Sequence, residues 1–279
     1  MSIAERSAWD KSGKDLAGKV CFVVGGGSIA SGWSIGRALC VAYSRAGARV
    51  AVCDRVLAAA EETVDLIKTE GNEAFAIETD ATDAQSIGQA VAATTARFGK
   101  LDVLHNNVGI GKAGDSANTK PDDWRRISDA NLMALHVATQ AVIPVMKEQG
   151  GGLILTTSTV GSLRYLGFPH LAYNVTKAAA NHFSRLIAAE YAPFRIRANT
   201  LVVGLMDTPR IRITLQSSAY GASEEAMMQK RNEQVPIGFM GDAWDVAHAA
   251  VFLASDKARY ISGAELVIDG ALTATTRTD

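Results

Sequence analysis

Seven short apolar runs that alternate with amphipathic stretches set the narrowest limit on how this chain can fold. The runs are Val20–Val24, Val50–Asp54, Ala74–Thr79, Val103–Asn106, Leu153–Ser158, Ile196–Val202 and Ala264–Ile268. Between them lie sequences such as SIGRALCVAYSRAG and DAQSIGQAVAATTARFG, each closing on glycine, the residue that ends helices most readily. Regular alternation of strand and helix predicts an α/β fold: a doubly wound, seven-stranded parallel sheet with helices on both faces. A chain of 279 residues can bury the core of one such domain.

Residues 1–17 read as a surface arm that Trp9 tacks down, and 18–279 as the single domain. The stretch from about Leu205 to Pro236 breaks the rhythm, being rich in Met, Arg, Ser and Gln with no evident strand. A formal net charge of −1 gives no global field that would draw nucleic acid or an anionic membrane. No run of about 18 apolar residues is present, and the polar opening MSIAERSAWDKSGKD lacks the apolar core of a signal sequence. Cys21, Cys40 and Cys53 have no metal-type spacing and read as small buried hydrophobes in a reducing, cytoplasmic setting. The five histidines show no ligand spacing either, so no metal is expected.

Tyr173 and Lys177 stand four residues apart in the helix-like run YNVTKAAANHFSRLIAAEY, which places them one turn apart on one face. A phenol has a pKa of about 10, and a neighbouring ammonium favours the phenolate. A tyrosine so placed can move a proton to or from an alcohol oxygen. Ser158, at the end of the apolar run LILTTS, offers a strand-end hydroxyl to the same oxygen, and Asn131 lies in the helical run ISDANLMALHVATQAVIPVM. Near the N-terminus, Gly25-Gly26-Gly27-Ser28 follows the first strand, and a helix opens near Ser34-Ile35-Gly36. Such a turn lets backbone approach a pyrophosphate, and the helix N-terminus favours its charge. Asp54 ends the second strand, where a carboxylate accepts hydrogen bonds from both adenosine ribose hydroxyls and repels a 2′-phosphate. NAD is therefore expected rather than NADP, with Arg55 beside Asp54 able to soften the choice.

Taken together, Asn131, Ser158, Tyr173 and Lys177 resemble the catalytic tetrad of the classical short-chain dehydrogenase/reductase family, and the resemblance runs from about Gly18 to Gly270. It implies a Rossmann-type fold and hydride transfer between NAD and a secondary alcohol or ketone. Within it, Tyr173 is the general acid/base, Lys177 holds the nicotinamide ribose and lowers the tyrosine pKa, Ser158 polarises the substrate oxygen, and Asn131 holds a relay water through its backbone.

For the cofactor, the resemblance implicates Gly25, Ser28, Ser34, Ile35, Gly36, Asp54, Asp80, Ala81, Asn107, Val108, Gly109, Tyr173, Lys177, Gly204, Met206 and Thr208. Ser34 replaces the middle glycine of the family turn, and about five extra residues, Ile29 to Trp33, are expected to bulge outward over the adenosine side. Asp80 matches an adenine-contacting residue, with helix capping as its competing role, which Asp83 can fill instead. The segment STVGSLRYLGFPHLAY is about two residues longer than in many relatives, so Arg164, Tyr165, Phe168 and His170 can shape the pocket mouth. The lid from about residue 205 to 236 offers Met206, Ile211, Ile213, Leu215, Tyr220, Met227 and Met228, either as an apolar pocket for a cyclic or medium-chain alcohol or as packing against the body. Arg210 and Arg212 either meet an acidic substrate or lie in solvent. The family also implies a D2 homotetramer through helices corresponding to Asp123–Gln149 and Tyr173–Tyr191. Two other functions are open: an NADPH-dependent reductase of 3-oxoacyl thioesters, and a dinucleotide-binding protein without turnover.

Overall fold

The computed structural model describes residues 14–215 and 223–275. In chain order the elements are β1 (Val20–Val24), α1 (Ile35–Arg45), β2 (Arg49–Asp54), α2 (Leu57–Thr69), β3 (Ala74–Glu78), α3 (Ala84–Phe98) and β4 (Val103–Asn106). There follow α4 (Pro121–Ser128), α5 (Ala134–Glu148), β5 (Gly152–Thr159), α6 (Leu171–Glu190), β6 (Ile196–Val203) and β7 (Met206–Asp207). The chain closes with α7 (Pro209–Leu215), α8 (Glu224–Gln234), β8 (Gly241–Asp242), α9 (Ala243–Ala254) and β9 (Glu265–Ile268). The main sheet has seven strands in the order β3-β2-β1-β4-β5-β6-β9, every pair parallel.

Strand alternation explains the two layers of core. Cys21, Val23, Val50, Val52, Leu153 and Leu155 face the side packed by α1 and α9. Their neighbours Phe22, Val24, Ala51, Cys53 and Ile154 face the side packed by α3, α5 and α6. Caps fix the helix ends. Ser34 and Asp83 cap α1 and α3 through their side chains, and Asp242 and Asp245 form a reciprocal capping box on α9. Leu16, inside the expected arm, is fully buried in the first core layer, whereas Trp9 lies outside the described residues.

Two departures from the sequence reading bear on the site. β5 runs one residue beyond Ser158, to Thr159. The stretch expected to hold no strand contains β7, which pairs with β8 through Met206↔Gly241 and Asp207↔Asp242. Two residues are too few to show alternation, and the partner lies outside the stretch. Between α4 and α5 the helix loosens into a π-turn at Asp129–Met133, a local widening that recurs at functional sites. None of the helices among the described residues is long and apolar enough to cross a membrane.

Candidate active site

The C-terminal ends of the strands meet where the strand order reverses between β1 and β4, the usual place for a ligand crevice in such sheets. On one wall, β1 ends in the Gly25-Gly26-Gly27 turn. Gly25 has φ +85°, and a Cβ on Gly36 would overlap the Gly25 carbonyl oxygen, so helix and turn touch backbone to backbone. The Asn107 amide donates to that same carbonyl at 2.9 Å, tying the end of β4 to the turn. The Ser34 hydroxyl donates to Gly27 O at 2.8 Å and accepts from Arg37 N at 3.1 Å, so it shapes the turn. The Ile35 and Gly36 N–H groups have no intrahelical partner, and no acidic residue lies in the first turn of α1. The Ser28 hydroxyl is spent on Ala30 O at 2.7 Å. This cradle fits a pyrophosphate on the helix N-terminus.

Asp54 closes β2 with one carboxylate oxygen accepting from Gly27 N at 3.0 Å and the other from Val56 N at 3.1 Å. Those bonds orient the carboxylate and leave lone pairs for two ribose hydroxyls. Asp80 accepts from Thr82 N and Thr82 Oγ1 at 2.9 and 2.7 Å, and these bonds hold its carboxyl below the usual range. Asp83, not Asp80, caps α3; Ala81 beside it is buried.

On the opposite wall, α6 carries Tyr173 and Lys177. The Lys177 ammonium is buried, donates to Thr157 O at 2.8 Å and Val108 O at 3.4 Å, and lies 5.9 Å from the Tyr173 ring centroid. Burial pushes its pKa down to about 8, with the Arg210 guanidinium adding to the effect. Tyr173 is half-buried by area, yet its surroundings desolvate the phenol and raise its pKa; Arg210 and a hydrogen bond from Thr159 pull the other way. The cation acting on the phenol here is Arg210, and burial outweighs it. Gly109 and Gly111 make room for this wall, since a Cβ would come within 2.9 Å of Lys177 Nζ at the first and 3.3 Å of the Tyr173 ring at the second.

Asn131 sits in the π-turn with its side chain fully engaged. Its amide donates to Ile110 O at 3.0 Å and Thr176 Oγ1 at 2.9 Å, and its oxygen accepts from Ile110 N at 2.8 Å. A cavity of about 10 Å³, lined by Asn106, Asn131, Thr156 and Lys177, lies beside it. That is about the room of one water molecule.

Ser158 lies at the end of β5 against α6. Its hydroxyl is buried and donates to Lys177 O at 3.4 Å, on the same strand face as Thr156, which bonds Ser184 of α6 at 3.2 Å. The next residue, Thr159, is half-buried, ends β5 and accepts from Gly161 N at 3.4 Å. Within the run Thr156-Thr157-Ser158-Thr159 a one-residue shift moves a side chain to the other face.

The extra residues Ile29–Trp33 also depart from expectation. They turn toward the lid, not over the adenosine side. A Cβ on Gly32 would lie 3.3 Å from Pro209, and Trp33 packs edge-on against Trp244 with centroids 4.7 Å apart. A cavity of about 340 Å³ separates them from the start of α7, with Trp33, Thr208, Ile213 and Trp244 in its lining. The buried Trp244 ring, presented by α9, gives the inserted tryptophan its seat.

At the lid base, Gly204 lies so close to Asp269 that a Cβ would come within 2.7 Å of its Cα. Met206 and Met227 are buried, which fixes them as packing against the body, while Tyr220 lies outside the described residues. Arg212 is paired with Asp207 at 3.0 Å and with Glu224. Phe168, His170 and Tyr173 form an edge-to-face row, with centroids 4.7 and 5.9 Å apart, and burial lowers the His170 pKa. Among the described residues no cluster of His, Cys, Asp or Glu suits a metal.

Comparison with known proteins agrees with this geometry. A family model described as enoyl-(acyl carrier protein) reductase matches residues 29–273. The 2,5-dichloro-2,5-cyclohexadiene-1,4-diol dehydrogenase LinX of Sphingobium indicum is 34% identical over 256 residues, covering 91% of this chain and 96% of that protein. Cyclohexanol dehydrogenase of an Acinetobacter species is 31% identical over 257 residues, covering 91% and 95% respectively. A crystal structure of a chain from Burkholderia xenovorans, classed as a short-chain dehydrogenase/reductase, superimposes with a TM-score of 0.88 at 36% identity, covering 94% of this chain and 99% of that one.

Proposed function

Because the chain belongs to the classical short-chain dehydrogenase/reductase family, whose members interconvert alcohols and ketones with a nicotinamide dinucleotide, we propose that it oxidises a cyclic secondary alcohol with NAD. The observation that carries this reading is the convergence of Tyr173 and Lys177 on glycine-lined backbone at the end of β4, across from the Gly25 turn. The names of the relatives LinX and cyclohexanol dehydrogenase support a ring alcohol. The choice of NAD over NADP rests on Asp54 alone, whose oriented carboxylate suits ribose hydroxyls and opposes a 2′-phosphate.

Gly25, Ile35 and Gly36 hold the pyrophosphate, Asp54 the adenosine ribose, and Asp80 and Ala81 border the adenine. Asn107, Val108 and Gly109 run along the cofactor, and Gly204, Met206 and Thr208 form the backbone seat of the nicotinamide. Bound NAD supplies the hydride acceptor and a positive ring. Tyr173 takes the alcohol proton. Lys177 holds the ribose with the ammonium N–H left over from its two carbonyl bonds and passes the proton on. Asn131 locks α6 to the end of β4 with its side chain, and it lines the cavity that suits the relay water. Phe168 and His170 shape the pocket mouth.

Assembly follows the family: Met133, Val175 and Leu186 are exposed apolar residues on the stretches proposed to meet in a homotetramer. The three cysteines are buried free thiols, which suits the cytoplasm.

The test is a panel of cyclohexanol, linear secondary alcohols and an acetoacetyl thioester with NAD(H) and NADP(H), followed by NADH absorbance. Ring-alcohol turnover with NAD is expected. Selective thioester reduction with NADPH would replace this reading with the second one, which the description of the matching family model favours.

A further inference from the structure

We propose that Tyr43, His105 and Thr157 are positioning residues: a buried chain of hydrogen bonds that holds the carbonyl anchoring Lys177 and ties it to the cofactor helix. The inference rests on the alcohol-dehydrogenase reading of the same site and adds three residues that lie behind the cleft.

The bonds are continuous. The Tyr43 phenol, on α1, meets His105 Nδ1 at 2.7 Å. The other ring nitrogen, Nε2, meets the Thr157 hydroxyl at 3.0 Å. The Thr157 carbonyl accepts from Lys177 Nζ at 2.8 Å, the shorter of that ammonium's two carbonyl bonds. Tyr43 and His105 are fully buried and Thr157 is 8% exposed, so water does not compete for these bonds. Burial pushes the His105 pKa down to about 3, so the ring is neutral, with one nitrogen donating and the other accepting. Among the described residues the Tyr43 hydroxyl has no second partner. Its proton therefore goes to Nδ1, and the Nε2 proton goes to Thr157.

Strand geometry gives the chain its purpose. β4 ends at Asn106, opposite Thr156, so the ladder between β4 and β5 stops one residue before Thr157. Thr157 O stands past the last rung and takes the Lys177 ammonium. On that edge the tie between the strands passes from main chain to side chain, from His105 of β4 to Thr157 of β5. His105 in turn leans on α1, whose N-terminus forms the phosphate cradle. One series of bonds thus sets the distance from the helix that holds the pyrophosphate to the ammonium that holds the ribose. Loosening it shifts Lys177 by a fraction of an ångström, enough to slow a reaction that depends on alignment.

The experiment compares His105→Leu, His105→Gln, Thr157→Val and the double variant Tyr43→Phe/His105→Leu, with kcat, KM and Tm measured on each. The substrate is the ring alcohol that the wild-type protein turns over best with NAD. His105→Leu is expected to lower kcat by about tenfold, with KM for the alcohol within about threefold of wild type. It also strands the buried Tyr43 hydroxyl, so Tm should fall by about 3 °C or more. His105→Gln keeps a donor for Thr157 and should restore most of the lost kcat. Thr157→Val cuts the chain from its other end and should match His105→Leu in kcat, which keeps the test open if His105→Leu does not fold. The double variant removes both partners of the Tyr43–His105 bond, so Tm should recover by at least about half while kcat stays low. Recovery of kcat together with Tm would reduce the chain to general stability and overturn the proposal. So would a kcat within about twofold of wild type in both His105→Leu and Thr157→Val.

A second readout needs no substrate. Amide hydrogen exchange in the peptide that ends β5 should quicken by about tenfold in the double variant, with α3 unchanged as the internal reference. Unchanged exchange there contradicts the proposal. If the wild-type protein turns over no alcohol, the proposed function fails, and hydrogen exchange still decides whether the chain holds the carbonyl that anchors Lys177.

Discussion

The two walls of the cleft are built by opposite means. The phosphate wall is held by exclusion: Gly25, Gly27 and Gly36 let backbone, helix and the Asp54 carboxylate come closer than any side chain would permit. The catalytic wall is held by buried polar groups: Asn131 and Lys177 thread hydrogen bonds from side chains to main-chain oxygens at Ile110, Thr157 and Val108. A steric wall fails abruptly when one atom is added. A polar wall fails by degrees, according to which partner is left behind.

Breaking the phosphate wall should have the largest effect. Gly36→Ala drives a methyl into the Gly25 carbonyl, and NAD affinity measured by fluorescence titration should fall at least about a hundredfold, equivalent to about 3 kcal/mol. An unchanged affinity would mean that the turn relaxes and that exclusion does not hold it.

The catalytic wall makes the contrasting case with Lys177→Met. Activity should be lost while the protein becomes more stable. Burial holds Lys177 at about 8, below the ordinary lysine value of about 10.4. The folded-state value is the lower one, so the unfolded chain binds the extra proton between those pH values. Wild-type stability should therefore rise with pH across that window and be penalised below it. The full penalty is about 3 kcal/mol; with two carbonyls losing a donor, the net gain in Lys177→Met should be about 1–2 kcal/mol at pH 7. Denaturant melts at several pH values check it, and a variant less stable than wild type would show that the hydrogen bonds outweigh the burial.

Asp54→Ala sharpens the comparison within the steric wall. It should cut the NAD-over-NADP preference by about tenfold, read as the ratio of the two dissociation constants; equal weakening of both would remove the basis for cofactor choice. The smallest effect is expected at Arg210, whose charge lowers the Tyr173 pKa. In Arg210→Ala the phenolate forms at higher pH, so the rising limb of the oxidation profile should move up by less than about one unit, and less still at high salt. A downward move would contradict the sign.

The contrast also explains what could be read from the chain. The glycines of the phosphate turn and Asp54 at a strand end mark their own places, because few residues can stand there. The surroundings of Ser158 were harder to read, because Thr156, Thr157, Ser158 and Thr159 are chemically alike and only the face of β5 separates them. The direction of the Ile29–Trp33 insertion was hidden for another reason. Its seat, Trp244, is about two hundred residues away and carries no motif of its own. The β7–β8 pair joins elements too short to show any period. The buried thiols were legible as small hydrophobes, because two of them sit in strand-like apolar runs.

The central claim is that the Tyr173 phenol moves the proton while the cofactor sits in an independent cradle. Tyr173→Phe tests it most directly, with kcat for ring-alcohol oxidation and the NAD dissociation constant measured on the same preparation. The account predicts turnover reduced by about a thousandfold or more with NAD binding within about threefold of wild type. Sustained turnover in that variant, or loss of binding and turnover together, would contradict it.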